Sequence, residues 1–333
     1  MRILVTGGAG FIGTNFVYYL LRQHPEDKVV VLDALTYAGN LENLKALDGH
    51  ARFKFVRGDI NDREIVDRLV GQVDAVVHFA AESHVDRSIQ NATDFVKTNV
   101  LGTQTLLDSC RAHGNVRFHH VSTDEVFGSL GSHGLFDENS PYDPRSPYSA
   151  SKAGADHLVR AAWHTHGLPI TISNCSNNYG SYQFPEKLLP LFITNLLENK
   201  KVPLYGDGLN VRDWLYVEDH CRGIDAVLRK GIYGETYLFG GRCERTNLEL
   251  TEIILFEMGF GRDMIQPVAD RLGHDRRYAI DCTKTEQALG WHAQTPFMEG
   301  IRKTIAWYKN NQAWWQRIKS GAYREYYEKQ YGQ

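Results

Sequence analysis

A glycine-rich segment after the first apolar run limits most strongly what this chain can fold into. The run "RILVT" leads into "GGAGFIG", where Gly7, Gly10 and Gly13 follow the spacing G-x-x-G-x-x-G, and the amphipathic stretch "NFVYYLLRQH" comes next. Between a strand and a helix, such glycines permit a tight turn and a close approach of the backbone to a pyrophosphate. The N–H groups of the helix start then face the phosphates. The segment therefore predicts a dinucleotide-binding turn.

An acid at the end of the second apolar run indicates which dinucleotide binds. Asp33 ends "KVVVLD", 20 residues after Gly13. A carboxylate there binds the ribose 2′-hydroxyl and repels a 2′-phosphate, so the predicted cofactor is NAD rather than NADP. Asp59 in "GDI" is a candidate neighbour of the adenine, with a solvated loop acid as an equal alternative.

Alternating strand and helix signals predict the fold class. Further apolar runs, "DAVVHFAA", "VRFHHVST" and "LPITISNCS", are separated by amphipathic stretches. Runs that are apolar on both faces are typical of parallel strands covered by helices on both sides. We predict an α/β protein with a Rossmann-like doubly wound parallel sheet and a smaller α/β substrate-binding lobe. The NAD-binding domain is expected at 1–172, with later returns near 211–240, and the lobe with its C-terminal helices at 173–333.

The second half is less regular. The stretch 182–201, "YQFPEKLLPLFITNLLENKK", predicts a helix with a proline at its entry, and 296–330 predicts a helical, aromatic tail. Trp307, Trp314 and Trp315 in this tail are interpreted as packing residues rather than as a sugar platform.

Composition excludes several classes of function. The 333 residues carry a net charge of -3, which does not favour a nucleic-acid partner. No apolar run reaches the roughly 18 residues of a membrane span, and the glycine-interrupted start does not match a signal peptide. Five cysteines without a C-x-x-C pair predict reduced thiols, a cytoplasmic location and no metal site. His78, His119 and His120 lie in apolar runs and are interpreted as core histidines.

Two sequence patterns indicate acid–base chemistry. Tyr148 and Lys152 are four residues apart in "PYSASKA", so both lie on one face of a predicted helix, and the ammonium is expected to lower the tyrosine pKa. Asp124 and Glu125 are adjacent, beside Thr123, directly after an apolar strand. Two adjacent carboxylates directly after a buried strand are electrostatically costly, because their negative charges repel each other. Taken alone, these acids could equally cap a helix or turn.

These motifs resemble the nucleoside-diphosphate-hexose 4,6-dehydratases among the extended short-chain dehydrogenase/reductases. The matching stretches extend to about residue 281 and include "TGGAGFIG", "HFAAESHVDRSI", "STDEVFG", "PYSASKA", "GDGLNVRDWLYVEDH" and "GHDRRYAID". The most specific is Thr123-Asp124-Glu125, since related epimerases lack adjacent acids there. Within the family the match is closest to members that act on dTDP-glucose.

The resemblance implies a redox-neutral loss of water from the hexose. Tyr148 takes the C4 hydroxyl proton while Thr123 contacts the C4 oxygen, and Lys152 supports Tyr148 and the nicotinamide ribose. Glu125 then removes the C5 proton, and Asp124 protonates the leaving C6 hydroxyl. The reaction class is that of a hydro-lyase, which produces a 4-keto-6-deoxy sugar nucleotide.

The resemblance also implies two sets of binding residues. The cofactor set comprises Gly7, Gly10, Phe11, Ile12, Gly13, Asp33, Leu35, Thr36, Asp59, Ile60, Phe79, Ala80, Ala81, Ser83, Thr98, Tyr148, Lys152 and Asn178. The substrate set comprises Ser83, Thr123, Asn177, Lys187, Leu188, Pro203, Leu204, Tyr205, Arg212, Asn247, Arg271 and His274. A homodimer is also implied, joined through a four-helix bundle made by the Tyr148 helix and a helix from about Thr93 to Arg111.

Two departures from the family pattern leave alternatives open. Leu272 stands where proline is usual before Gly-His, and the segment between Gly128 and Tyr148 is short. Leu272 leaves the identity of the base open, and the short segment leaves less of a lid over the site. A UDP-, GDP- or CDP-linked hexose or N-acetylhexosamine is an alternative substrate, and 4-epimerisation is an alternative reaction. A non-catalytic NAD-binding sensor or scaffold is the alternative from another class.

Overall fold

A computed structural model describes residues 1–270 and 273–320 of the chain. Twelve strands are described: β1 (Arg2–Thr6), β2 (Lys28–Asp33), β3 (Phe53–Arg57), β4 (Ala75–His78), β5 (Arg117–Thr123), β6 (Ile170–Cys175), β7 (Asn177–Tyr179), β8 (Val202–Tyr205), β9 (Val211–Tyr216), β10 (Thr236–Phe239), β11 (Glu244–Thr246) and β12 (Ile265–Val268).

The described α-helices are α1 (Phe11–Gln23), α2 (Arg63–Val70), α3 (Val85–Gln90), α4 (Ala92–Phe95), α5 (Thr103–Ala112), α6 (Pro147–His166), α7 (Leu188–Leu197), α8 (Val217–Lys230), α9 (Asn247–Met258), α10 (Thr283–Leu289), α11 (Phe297–Asn310) and α12 (Gln312–Lys319). A π-helical segment, Val96–Gly102, joins α4 to α5. Short 3-10 turns lie at Leu41–Leu47, Asp124–Phe127 and Arg262–Met264.

Seven parallel strands form the main sheet in the order β10-β6-β5-β4-β1-β2-β3. Apolar residues of α1 and α8 pack on one face of the sheet, and those of α2, α5 and α6 pack on the other. The predicted α/β doubly wound class is therefore confirmed. The strand order reverses between β1 and β4, and in such sheets ligands bind at the carboxyl ends of the strands beside the reversal.

Two small sheets lie outside the main one, β11-β9-β7 and β12-β8. The segment near 211–240 divides between these layers: β9 belongs to a small sheet, whereas α8 and β10 pack with the main sheet. The division of the chain at residue 172 stays a prediction.

The second half differs in detail from the sequence prediction. The helix predicted over 182–201 is confined to α7, and the residues before it are non-helical. Pro185 contributes to this, because a proline disfavours helical backbone at the residue before it. Trp314 and Trp315 are buried, and their ring N–H groups donate to Asn43 Oδ1 (2.7 Å) and to the Tyr308 carbonyl (2.9 Å). Their predicted packing role is confirmed, while the part of the tail after residue 320 lies outside the described residues.

Within the described ranges, no helix combines the length and the apolar character that a membrane crossing requires.

Candidate active site

The glycine-rich turn between β1 and α1 is packed too closely for larger side chains. Gly7 has a φ of 72°, and a Cβ there would lie 2.6 Å from the amide nitrogen of Ala80. A Cβ on Gly13 would lie 2.3 Å from the carbonyl oxygen of Gly7. Gly10 caps α1 without a side-chain hydrogen bond, and the first turn of α1 contains no acidic residue. The helix start can therefore present its N–H groups to an anion such as a pyrophosphate.

Asp33 ends β2 beside this turn. Its Oδ2 accepts a hydrogen bond from the Ala9 N–H (2.9 Å), and its Oδ1 accepts one from the Leu35 N–H (2.8 Å). Burial raises the pKa of Asp33, and these two hydrogen bonds act in the opposite direction. Each carboxylate oxygen retains acceptor capacity for a ribose hydroxyl. The turn and this acid together fit an NAD molecule.

The two adjacent acids follow the carboxyl end of β5. Thr123 Oγ1 accepts a hydrogen bond from the Glu125 N–H (3.3 Å) and donates to Asp124 Oδ1 (3.4 Å). Asp124 is buried, and burial raises its pKa well above the usual value. The negative charges of Glu125 and Asp213 raise it further, whereas Arg212 opposes them. Asp124 therefore favours its protonated form, which can donate a proton.

Tyr148 and Lys152 lie on α6, which starts just before them. Pro147 occupies the first turn, and Ser146 and Ser149 form a reciprocal capping box. Both functional side chains are buried. Burial lowers the pKa of Lys152 to about 8, with Asp156 acting in the opposite direction.

The structure corrects the predicted pKa of Tyr148. Burial, followed by the negative charge of Glu125, raises this pKa well above the usual value, while a hydrogen bond with Thr123 acts against the rise. The expected lowering of the Tyr148 pKa by Lys152 is therefore wrong, because desolvation of the phenolate and the charge of Glu125 determine the shift.

One cavity at the carboxyl end of the main sheet collects most of the predicted site. Its lining includes all five predicted catalytic residues, Thr123, Asp124, Glu125, Tyr148 and Lys152. It also includes the predicted binding residues Gly7, Gly10, Phe11, Ile12, Gly13, Asp33, Thr36, Asp59, Ile60, Phe79, Ala80, Ala81, Ser83, Thr98, Asn177, Asn178 and Lys187. The predicted acid–base groups and the predicted dinucleotide cradle therefore share one space.

The remaining predicted residues do not line this cavity. Leu35 supports Asp33 through its backbone, and Leu188 begins α7. The predicted nucleotide contacts that the structure describes are found on β8, on β9, at the start of α9 and in the loop after β12: Pro203, Leu204, Tyr205, Arg212, Asn247 and His274. Arg271 and Leu272 lie outside the described residues.

Arg212 connects this second group to the cavity. Its guanidinium lies 4.2 Å from the centre of the Tyr278 ring and donates to the Asp275 carbonyl (3.0 Å). Its positive charge also acts on the pKa of Asp124. The predicted nucleotide contacts outside the cavity therefore begin, at Arg212, near Asp124 and Glu125.

Several cavity residues were not predicted from the sequence. Tyr37, Cys175, Gln183 and Glu186 line the cavity beside the predicted residues. Glu186 is buried and accepts hydrogen bonds from the Arg87 guanidinium (3.2 Å). Adjacency to Lys187 in "FPEKLLP" was the one sequence signal for Glu186.

The histidines of the apolar runs lie in the core, as predicted. His78, His119 and His120 are buried on β4 and β5. Among the residues described, no group of three or more His, Cys, Asp or Glu side chains could hold a metal ion.

Comparison with known proteins identifies the family. Residues 4–304 match the family model described as GDP-mannose 4,6 dehydratase. The chain belongs to this family. A dTDP-glucose 4,6-dehydratase of Streptomyces antibioticus is 54% identical over 324 residues, which are 96% of each chain. The expected resemblance to nucleotide-sugar 4,6-dehydratases with an extended short-chain dehydrogenase/reductase fold is confirmed.

Solved structures of family members agree with the described architecture. The dTDP-glucose 4,6-dehydratase of Streptomyces venezuelae, solved with NAD and dTDP bound, has a TM-score of 0.94 and 54% identity. It covers 96% of this chain and 100% of its own. The Bacillus anthracis dTDP-glucose 4,6-dehydratase, solved with NAD, has a TM-score of 0.90 and 48% identity, with 96% and 100% coverage.

Proposed function

We propose that this member of the dehydratase family converts dTDP-glucose to dTDP-4-keto-6-deoxyglucose and water. The observation that carries the proposal is one cavity that contains a buried acid with a raised pKa, an adjacent second acid and a Tyr–Lys pair. The high identity to dTDP-glucose 4,6-dehydratases over nearly the whole chain supports the choice of substrate. In this proposal the chain is a hydro-lyase.

The glycine turn, Asp33 and Asp59 hold the cofactor, because they line the cavity at the ends of β1, β2 and β3. NAD held by these residues would supply the hydride acceptor for C4 and the hydride donor for C6, and the positive charge of its oxidised nicotinamide would favour the Tyr148 phenolate. Lys152 adds a second positive charge near this phenol, one helical turn along α6. Tyr148 then removes the C4 hydroxyl proton, with Thr123 hydrogen-bonded to the C4 oxygen.

The two acids act in the elimination step. A 4-ketone acidifies the C5–H bond, and Glu125 removes this proton as the general base. Asp124, kept protonated by burial and by Glu125, donates its proton to the C6 hydroxyl, which leaves as water. C5 is reprotonated after C6 is reduced. Because the acid and the base act on neighbouring carbons, adjacent residues in the chain suit the two roles.

The nucleoside diphosphate extends from the acids towards the second group of residues. Arg212, whose positive charge acts to lower the pKa of Asp124, contacts the diphosphate, as does Arg271. Pro203, Leu204 and Tyr205 flank the base, while Asn247 and His274 complete the nucleotide contacts. Ser83 contacts the hexose, and Asn177, Lys187 and Leu188 supply further substrate contacts from the segment after β6.

We also propose that the enzyme is cytoplasmic and homodimeric. Its five cysteines are free thiols in the structure, in agreement with a reducing compartment. The dimer would pair α6 and the α4–α5 region of one chain with the same elements of a second copy.

An activity panel tests the proposed reaction. Purified protein is incubated with dTDP-, UDP-, GDP- and CDP-linked hexoses, and the 4-keto-6-deoxy product is detected by its absorbance in alkali. We expect turnover with dTDP-glucose above all others. Preferred turnover of another nucleotide would contradict the substrate assignment, and conversion to a 4-epimer would contradict the reaction.

A further inference from the structure

Lys152 contacts a polar cluster buried beneath the active site. Its ammonium donates to the Val121 carbonyl (2.9 Å) and lies 3.3 Å from His120 Nε2. The same imidazole nitrogen lies 3.1 Å from Asp156 Oδ1. His120, Lys152 and Asp156 are all buried. A cation, an imidazole and a carboxylate therefore form a continuous chain that leads away from the cavity.

Asp156 is fixed firmly at the far end of this chain. Its Oδ2 accepts hydrogen bonds from Ser122 Oγ (2.9 Å), Tyr142 Oη (2.8 Å) and Asn174 Nδ2 (3.3 Å). Although burial acts to raise its pKa, His120, Lys152 and Ser122 bring the pKa of Asp156 below the usual value. Asp156 therefore carries its negative charge at neutral pH. The three donors hold Oδ2, whereas Oδ1 faces His120 Nε2 and has no other hydrogen-bond partner among the described residues.

The proton of His120 has one favourable position. Burial, followed by the charge of Lys152, lowers the pKa of His120 to about 4, so the imidazole is neutral at pH 7. Its Nδ1 is buried and has no hydrogen-bond partner among the described residues. A proton on Nδ1 would therefore be unsatisfied, whereas a proton on Nε2 can be donated to Asp156 Oδ1. With the proton on Nε2, the Lys152 ammonium donates to the Val121 carbonyl and not to His120.

We infer that His120 and Asp156 are positioning residues for Lys152: the buried carboxylate keeps the ammonium charged, and the imidazole holds that carboxylate in place. This inference rests on the proposed function, in which the positive charge of Lys152 favours the Tyr148 phenolate. The three residues on α6, Tyr148, Lys152 and Asp156, are spaced four apart and form one stripe along the helix.

The other titratable groups around Lys152 do not replace Asp156. Cys175 on β6 and Tyr148 have pKa values raised by burial, so both are neutral at pH 7. His78 on β4, whose ring centre lies 5.2 Å from that of His120, has a pKa lowered by burial and is also neutral. Of the groups that face Lys152 in the described structure, Asp156 is thus the one that supplies charge.

The main test is the pH dependence of Asp156→Asn. Lys152 Nζ and Asp156 Oδ1 lie 3.3 Å and 3.1 Å from the same nitrogen, His120 Nε2. An opposite charge within about 4–6 Å shifts a pKa by about 1–3 units, so loss of the Asp156 charge should lower the pKa of Lys152. We expect the alkaline limb of kcat/KM to move to lower pH by at least about one unit, with KM for dTDP-glucose little changed. At the acidic end of the pH profile, kcat/KM of Asp156→Asn should return towards the wild-type value. A uniform loss at all pH values would overturn the inference, because a merely structural role predicts that result.

A neighbouring histidine provides a matched control. His119 is equally buried but points to the other face of β5, where it contacts Thr171 Oγ1 (2.9 Å) and Ser173 Oγ (3.1 Å). His120→Leu should shift the alkaline limb in the same direction as Asp156→Asn, and His120→Gln, which keeps an N–H donor, should restore part of the shift. His119→Gln should leave the limb in place. An equal shift in His119→Gln would overturn the inference.

NAD binding provides a readout that does not depend on the sugar nucleotide. If Asp156→Asn does not fold, the His120 variants decide the question. If the wild-type protein does not turn over dTDP-glucose, the proposed function fails, and the pH dependence of the NAD dissociation constant still tests the inference. As the pH is raised, the affinity for NAD should begin to fall at a lower pH in His120→Leu than in the wild-type protein. Identical pH profiles of NAD binding would contradict the inference on their own.

Discussion

Asp124 and Glu125 are neighbours in the chain but have different surroundings. Asp124 is only 2% exposed and has a raised pKa, whereas Glu125 is half-buried at the cavity wall. This difference supports the proposed roles of Asp124 as the acid and Glu125 as the base. It also explains how two acids can stand side by side after a buried strand, since one of them is uncharged.

The two acids can be separated by substitution. A positioned acid or base is worth roughly 10²–10⁴ in rate, so Asp124→Asn and Glu125→Gln should each reduce turnover by about that factor. Glu125→Gln should also slow exchange of the C5 hydrogen with deuterated solvent, measured by NMR, while Asp124→Asn should leave this exchange comparatively intact. Near-normal turnover in both variants would mean that the acids are structural and would favour an epimerase.

Tyr148→Phe should act one step earlier. The variant lacks the hydroxyl that is proposed to take the C4 hydroxyl proton, so the first oxidation should be blocked while the acids remain intact. Rapid mixing with dTDP-glucose should give no absorbance of enzyme-bound NADH, whereas Asp124→Asn should still give it. A normal NADH signal in Tyr148→Phe would assign the first proton transfer to another residue.

At the scale of elements, the turn between β1 and α1 makes the most direct steric prediction. Gly13→Ala places a methyl group 2.3 Å from the Gly7 carbonyl, so the turn must open. Overpacking of this kind typically costs about 1–3 kcal/mol, or about 5- to 150-fold in affinity if the strain acts on binding. Fluorescence titration with NAD should show the loss. Gly131→Ala, with no other atom within 4 Å of the new methyl group, should bind NAD as wild type does.

An element or residue could be predicted where a local sequence motif encodes it, and not where its role depends on contacts between distant residues. The β1–α1 turn, the end of β5 and the start of α6 were predicted because local motifs encode them. The edge strand β3 was not, since its "FKFVR" is only partly buried and lacks a continuous apolar run. Asp156 and Glu186 were also missed. Asp156 contacts His120, 36 positions away in the chain, and Glu186 contacts Arg87, 99 positions away. Such pairs come into contact only in the folded structure.

At the scale of the whole molecule, the proposed reaction is redox-neutral, so the cofactor need not leave between turnovers. The cavity supports retention, because residues at the carboxyl ends of β1 to β5 and on α6 all line it. Denatured purified protein should therefore release NAD and no NADP. Accumulation of NADH in step with product would contradict the cycle.

The proposed dimer makes a prediction about one apolar surface. Val96 and Leu101, on the π-helical segment beside α6, are 48% and 56% exposed, although both are apolar. A second copy that pairs the same elements would cover them, and this would brace α6, which carries Tyr148 and Lys152. Light scattering at micromolar concentration should give the mass of two 37.9 kDa chains for wild type and of one chain for Leu101→Asp. Ile232→Asp, at a position 65% exposed in the loop after α8, serves as the control and should remain dimeric. A monomeric wild type would contradict the dimer, and a dimeric Leu101→Asp would move the interface to another face.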